Sequence, residues 1–169
     1  VRELLIEKGL LSTEDIHKTV EEMDSRGPEL GAQVIARAWI DPQFKQSLLQ
    51  NAPSAVKALG IDIGPLQLLV VENTPEVHNL IVCTLCSCYP RYLLGLPPDW
   101  YKSREYRSRA VREPRSVLQE FGTDIPDEVE VRVHDSTADL RYLVLPQRPE
   151  GTGHLTEDEL ASLVKRDSM

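Results

Sequence analysis

Three cysteines fall within six residues, Cys83-Thr84-Leu85-Cys86-Ser87-Cys88, and the 169-residue chain has no others. Thiols this close together in a reduced compartment are more often metal ligands than disulfide partners. A bridge between Cys86 and Cys88, one residue apart, would be strained. Three thiolates in one tight turn are soft donors, which suit a transition metal and not calcium or magnesium. Structural zinc needs four closed ligands. The nearest further donor is His78, so a Cys3His zinc site of His78, Cys83, Cys86 and Cys88 is one reading. The C-x-C step crowds two sulfurs but brings the backbone amides of Ser87 and Cys88 near any metal held there. If those amides ionise and bind, three sulfurs and two nitrogens leave one octahedral position open. Only a strongly Lewis-acidic ion, such as trivalent cobalt or iron, would support that ligation.

The elements around the turn follow from periodicity and punctuation. Leu66–Val71, His78–Thr84, Val129–Val133 and Arg141–Leu145 read as strands, and the second delivers the cysteines at its end. Ser12 with Asp15, and Thr156 with Glu159, are helix-start signatures. Asp41-Pro42 opens another helix, Gly27-Pro28 interrupts one, and Gly122 stops the helix Pro114–Phe121. Residues 97–114 are rich in arginine and tyrosine and read as a solvated or subunit-facing surface. The fold class expected is α/β (α+β): a helical arm over residues 1–65 that embraces a partner, then an α/β metal-binding catalytic domain over 66–169.

Hydrophobic residues make up 41% of the chain, enough for a core. The net charge of −8 argues against nucleic acid as a partner. No run of about 20 apolar residues would span a membrane. With no signal peptide visible and three reduced-type cysteines, the expected location is cytoplasmic.

Val82 through Cys88, V-C-T-L-C-S-C, resembles the metal-claw signature of the nitrile hydratase alpha subunit family. The resemblance continues in order through Gly95-Leu96-Pro97-Pro98, Trp100-Tyr101-Lys102, Val111-Arg112-Glu113-Pro114-Arg115, Asp135-Ser136, Arg141-Tyr142, Leu145-Pro146-Gln147-Arg148-Pro149 and Arg166-Asp167-Ser168-Met169. It covers roughly residues 10 to 169. It implies a non-corrin cobalt(III) centre, with iron(III) as the alternative. Cys83, Cys86 and Cys88 would be the sulfur ligands and the amides of Ser87 and Cys88 the nitrogen ligands. Cys86 would be oxidised to sulfinate and Cys88 to sulfenate. Thr84 is the residue usual in the cobalt branch. The resemblance also implies beta-type partner subunits in a hetero-oligomer, and places Asp135 and Arg141 near the site. A strand-to-strand ion pair between those two that only orients the sheet is the rival reading.

One position departs from the family. Three residues past Cys88, where nitrile hydratases normally carry Trp, this chain has Arg91. A permanent cation there suits an anionic substrate better than an alkyl or aryl nitrile. In this the chain resembles the gamma subunit of thiocyanate hydrolase, a relative of the family. That implies hydrolysis of thiocyanate to carbonyl sulfide and ammonia, with Cys88, Ser87 and Arg91 as the residues of the chemistry. Nitrile hydration is the alternative, and a zinc-stabilised interaction module is the non-enzyme rival. His134, which replaces a Trp of many family members, reads as structural, and Tyr89 and Trp100 as packing residues.

Overall fold

In the computed structural model, which describes residues 1–169, side-chain caps start three of the five helices of the N-terminal half. After a short α1 (Arg2–Glu7), Ser12 and Asp15 each accept the other's backbone N–H, closing a capping box on α2 (Thr13–Asp24). Beyond the Gly27-Pro28 break runs α3 (Glu29–Ile40). Asp41 caps α4 (Pro42–Gln50) and Asn51 caps α5 (Ala52–Ala58), each with proline in its first turn, where the missing N–H costs nothing.

Strand β1 (Gln67–Glu72) and strand β2 (Val77–Val82) follow. Four short helices come next: α6 (Arg91–Leu94), α7 (Asp99–Lys102), α8 (Arg104–Arg112) and α9 (Pro114–Glu120). Then come β3 (Glu130–Asp135), β4 (Leu140–Leu145) and α10 (Glu157–Leu163), the last started by the Thr156–Glu159 capping box. The strands form two parallel pairs. β1 runs beside β4 with Gln67 opposite Leu140. β2 runs beside β3 with Val77 opposite Glu130 and Val82 opposite Asp135. That second register matters for the site: it puts Asp135 beside the last residue before Cys83.

Two apolar clusters hold these layers. The larger joins Ile35, Leu48 and Val56 of α3–α5 to Leu68 of β1, Leu143 of β4 and Leu93 of α6. The smaller joins β2 and the cysteine turn to Tyr101, Tyr106, Ala110 and Val117 of α7–α9. The expected boundary at residue 65 therefore cuts through a packed core, because α3–α5 cover β1 and β4 instead of standing apart. Helices α1 and α2 are the part of the N-terminal third that buries no residue. The arginine-rich stretch 97–114 is also more than surface. It forms α7 and α8, whose Tyr101, Tyr106 and Ala110 are buried while Arg104 and Arg112 are exposed.

Candidate metal centre

The claw turn begins where the β2 ladder ends. Ser136 N–H donates to Val82 O at 2.7 Å, the last main-chain link before the chain turns. Asp135 then grips the turn from the neighbouring strand: one carboxylate oxygen accepts the Thr84 N–H at 2.9 Å and the other the Thr84 hydroxyl at 2.5 Å. On the far side, the Tyr101 hydroxyl donates to Cys88 O at 2.9 Å, and the Tyr106 hydroxyl donates to Ile81 O at 2.7 Å. An aromatic group, with Tyr89 and Tyr101 centroids 5.1 Å apart and Trp100 and Tyr106 4.9 Å apart, backs these two anchors. Tyr101 and Tyr106 are the positioning residues that sequence reasoning missed. For Tyr106 the signal was its spacing from Ala110 on one face of α8; Tyr101, on the separate helix α7, had none.

Within the turn the three sulfurs converge. Cys83 Sγ lies 3.4 Å from Cys86 Sγ, and Cys86 Sγ lies 3.2 Å from Cys88 Sγ. All three atoms fall within 4.8 Å of one another. None is bonded to another. A metal–sulfur bond of about 2.3 Å sets two sulfurs about 3.3 Å apart at right angles and about 3.8 Å apart at the tetrahedral angle. The two short separations match the right-angled case. The amide N–H groups of Ser87 and Cys88 donate to no carbonyl, and both help to pull the Cys86 thiol down. Three converging soft donors, two of their separations at right-angle spacing and two amides free of carbonyl partners in the same turn, fit a five-donor transition-metal site better than closed zinc.

Protonation follows the burial. Cys83 and Cys88 are buried and Cys86 is exposed. Burial, with the Cys86 and Cys83 thiols beside it, pushes the Cys88 thiol up to about 12, and the nearby Arg141 cation works in the other direction. Bonds from Cys88 and then Cys83 pull the Cys86 thiol down. A bound metal would take the place of those protons.

The expected surroundings are only partly brought together. His78 is not part of the cluster: its Nδ1 faces Asn73 Nδ2 at 3.4 Å. A strand rises about 3.3 Å per residue, so five residues of β2 carry it roughly 16 Å from Cys83. The Cys3His site is therefore not formed. Asp135 and Arg141 make no ion pair. Asp135 holds Thr84, while the Arg141 guanidinium reaches the Thr137 carbonyl and leaves its buried Nε without a partner. That orphaned donor, on a cation close enough to act on Cys88, is suited to an anionic oxygen on the sulfur. His134 Nε2 donates to Asn79 Oδ1, 2.8 Å away, and its ring lies against Tyr142 with centroids 5.1 Å apart. Arg91 opens α6, exposed, and its guanidinium makes neither ion pair nor hydrogen bond within the chain. An interior cavity of about 400 Å³ lies behind β2 among Asn79, Tyr101 and Phe121, with no cysteine and no Arg91 in its wall. The claw opens onto the surface, with Leu85 at its tip 87% exposed.

Comparison with known proteins is consistent along the whole chain. The family described as "Nitrile hydratase, alpha chain" matches residues 1–169. The low-molecular weight cobalt-containing nitrile hydratase subunit alpha of Rhodococcus rhodochrous is 55% identical, over 98% of this chain and 81% of its own length. A solved recombinant thiocyanate hydrolase with partially modified cobalt centres superposes with a TM-score of 0.92 at 45% identity, covering 98% of this chain and 82% of that one. An iron-type nitrile hydratase from Comamonas testosteroni Ni1, solved as a double mutant, gives a TM-score of 0.89 at 43% identity, over 97% and 81% of the two chains.

Proposed function

The chain belongs to the nitrile hydratase alpha-chain family, and from that premise we propose that it is the metal-bearing subunit of a thiocyanate hydrolase. Thiocyanate and two waters become carbonyl sulfide, ammonia and hydroxide. The observation that supports this reading is Arg91: an exposed, unpaired guanidinium three residues past the last claw cysteine, a permanent cation suited to an anionic substrate.

The metal is cobalt(III), with iron(III) the alternative. Thr84 and the cobalt-containing relatives support cobalt, and the iron-type structural relative keeps iron open. Cys83, Cys86, Cys88 and the amides of Ser87 and Cys88 are its ligands. When bound, it supplies Lewis acidity toward the substrate nitrogen or toward a water. The chain's own groups do the rest. Arg91 binds and orients the thiocyanate anion through charge-assisted bonds. Cys86 as sulfinate and Cys88 as sulfenate carry anionic oxygens. The Ser87 hydroxyl and Arg141 donate to them, and the Cys88 sulfenate oxygen is a candidate base or nucleophile toward the nitrile-type carbon. Asp135 fixes the turn through Thr84. An open claw and a net charge of −8 leave further donors to be supplied by beta-type partner subunits in a hetero-oligomer. The exposed α1–α2 segment suits the role of an arm on such a partner. The enzyme works in the cytoplasm.

Nitrile hydration to an amide at the same site is the second reading. The 55% identity to a nitrile hydratase alpha subunit favours it. Assaying the intact complex side by side with thiocyanate and a simple nitrile separates the two.

A further inference from the structure

The cations of residues 102–115 divide into two sets. Lys102 pairs with Asp99 at 2.8 Å, Arg109 with Glu113 at 2.9 Å and Glu120 at 2.5 Å, and Arg115 donates to the carbonyls of Ile125 and Pro126. Arg104, Arg107 and Arg112 pair with no carboxylate. Their one bond within the chain is Arg107 Nε to Ser103 O at 3.3 Å. This is not for want of acids, since the chain has 27 Asp and Glu against 19 Lys and Arg.

These three arginines lie on one face of α8, at the helical spacing that also brings Ser108 and Val111 to that side. With Thr84 of the claw turn they line a shallow groove of about 500 Å³. Val111 is 52% exposed within it, and the claw-tip Leu85 beside Thr84 is 87% exposed. Guanidinium groups are weakly hydrated forks that pair carboxylates in two-bond fashion, and arginine is enriched where proteins dock while lysine is depleted. Unpaired forks around exposed apolar side chains, over an open groove, match a protein surface better than a small ion.

We propose that the Arg104–Arg107–Arg112 face of α8 docks an acidic segment of the partner subunit, with Val111 and Leu85 as its apolar contacts. Thr84 would then share a border with that segment on one side and be held by Asp135 on the other, so docking would bear directly on the claw. The inference rests on the hetero-oligomer reading above.

The test uses the assembled complex. Arg104→Lys, Arg107→Lys and Arg112→Lys are made singly, and each complex is treated with a carbodiimide, which joins the new amine to a carboxylate in contact. Cross-links from these positions to Asp or Glu of the partner subunit are the expected result. Cross-links only within the chain, or only to a second copy of it, overturn the proposal, as does their absence. Second, the triple variant Arg104→Glu/Arg107→Glu/Arg112→Glu should bind the partner at least tenfold more weakly at low salt. Raising the salt should weaken the unaltered chain and leave the variant nearly unchanged. The triple glutamine variant gives the same reading if charge reversal impairs folding. Unchanged affinity in a folded triple variant overturns the proposal. Thiocyanate turnover enters neither readout, so a complex that prefers nitriles leaves the inference standing. A chain that is metal-loaded and fully active alone would remove the hetero-oligomer reading itself, and the docking proposal with it.

Discussion

Replacing Arg91 with tryptophan tests the substrate assignment at one side chain. The guanidinium has no partner in the chain, so its removal strands no carboxylate and opens no cavity. Stability should therefore move by no more than about 0.5 kcal/mol, as for other surface changes. What is lost is the interaction with the anion. A hydrogen bond to a charged group contributes about 1.5–3 kcal/mol, which corresponds to a roughly ten- to hundredfold fall in kcat/KM for thiocyanate. Arg91→Lys should restore only part of this, because the ammonium keeps the charge without the planar fork. The assay is steady-state turnover of thiocyanate and of a small neutral nitrile by the same complexes, with cobalt content and subunit stoichiometry checked for each. Nitrile turnover should hold or rise in Arg91→Trp. An Arg91→Trp complex, assembled and metal-loaded, with unaltered thiocyanate kinetics would refute the reasoning.

Three further outcomes are expected. Peptide mass spectrometry of the active complex, handled without oxidants, should find two added oxygens on Cys86 and one on Cys88; two unmodified thiols in an active preparation would contradict this. Asp135→Asn gives up the negative charge that accepts from Thr84 N–H and hydroxyl, each bond being charge-assisted. At this exposed position the stability loss should be about 1 kcal/mol, with a larger fall in metal retained after dialysis against a chelator; undiminished metal retention would mean that the grip on Thr84 is dispensable. Burial holds His78 and His134 below the ordinary histidine range. The unfolded chain therefore takes up protons first, near about pH 6.5. Their contribution is present above that value, declines as pH falls through it, and levels off once the folded imidazoles also protonate. The melting temperature should drop between pH 7.5 and 5.5, and less in a His78→Asn/His134→Gln variant; equal drops would contradict the assignment.

The parts legible in the sequence were those decided locally. Ser12 with Asp15, Asp41-Pro42 and Thr156 with Glu159 mark helix starts because their bonds close within three residues. The four strands were readable from short apolar runs, and the claw from the spacing of three cysteines. What was hidden depends on contacts across long separations. That β1 pairs with β4 and β2 with β3 cannot be read from alternation, yet that register brings Asp135 to Thr84. Asp135 and Arg141 go to different partners, Thr84 and Thr137, so the rival reading of a sheet-orienting ion pair between them fails. Helices α3–α5 looked detachable because no strand lies near them in sequence, but their apolar faces meet β1 and β4. Helices α7 and α8 were obscured by arginine. Only the buried face, Tyr101, Tyr106 and Ala110, shows that the stretch supports the claw from behind.

The most direct test of the central claim is the ratio of kcat/KM for thiocyanate to that for a simple aliphatic nitrile, measured on the intact, metal-loaded complex. The account predicts a ratio well above one, with carbonyl sulfide and ammonia as the products. A ratio below one, with amide formed from the nitrile as the main product, would contradict it.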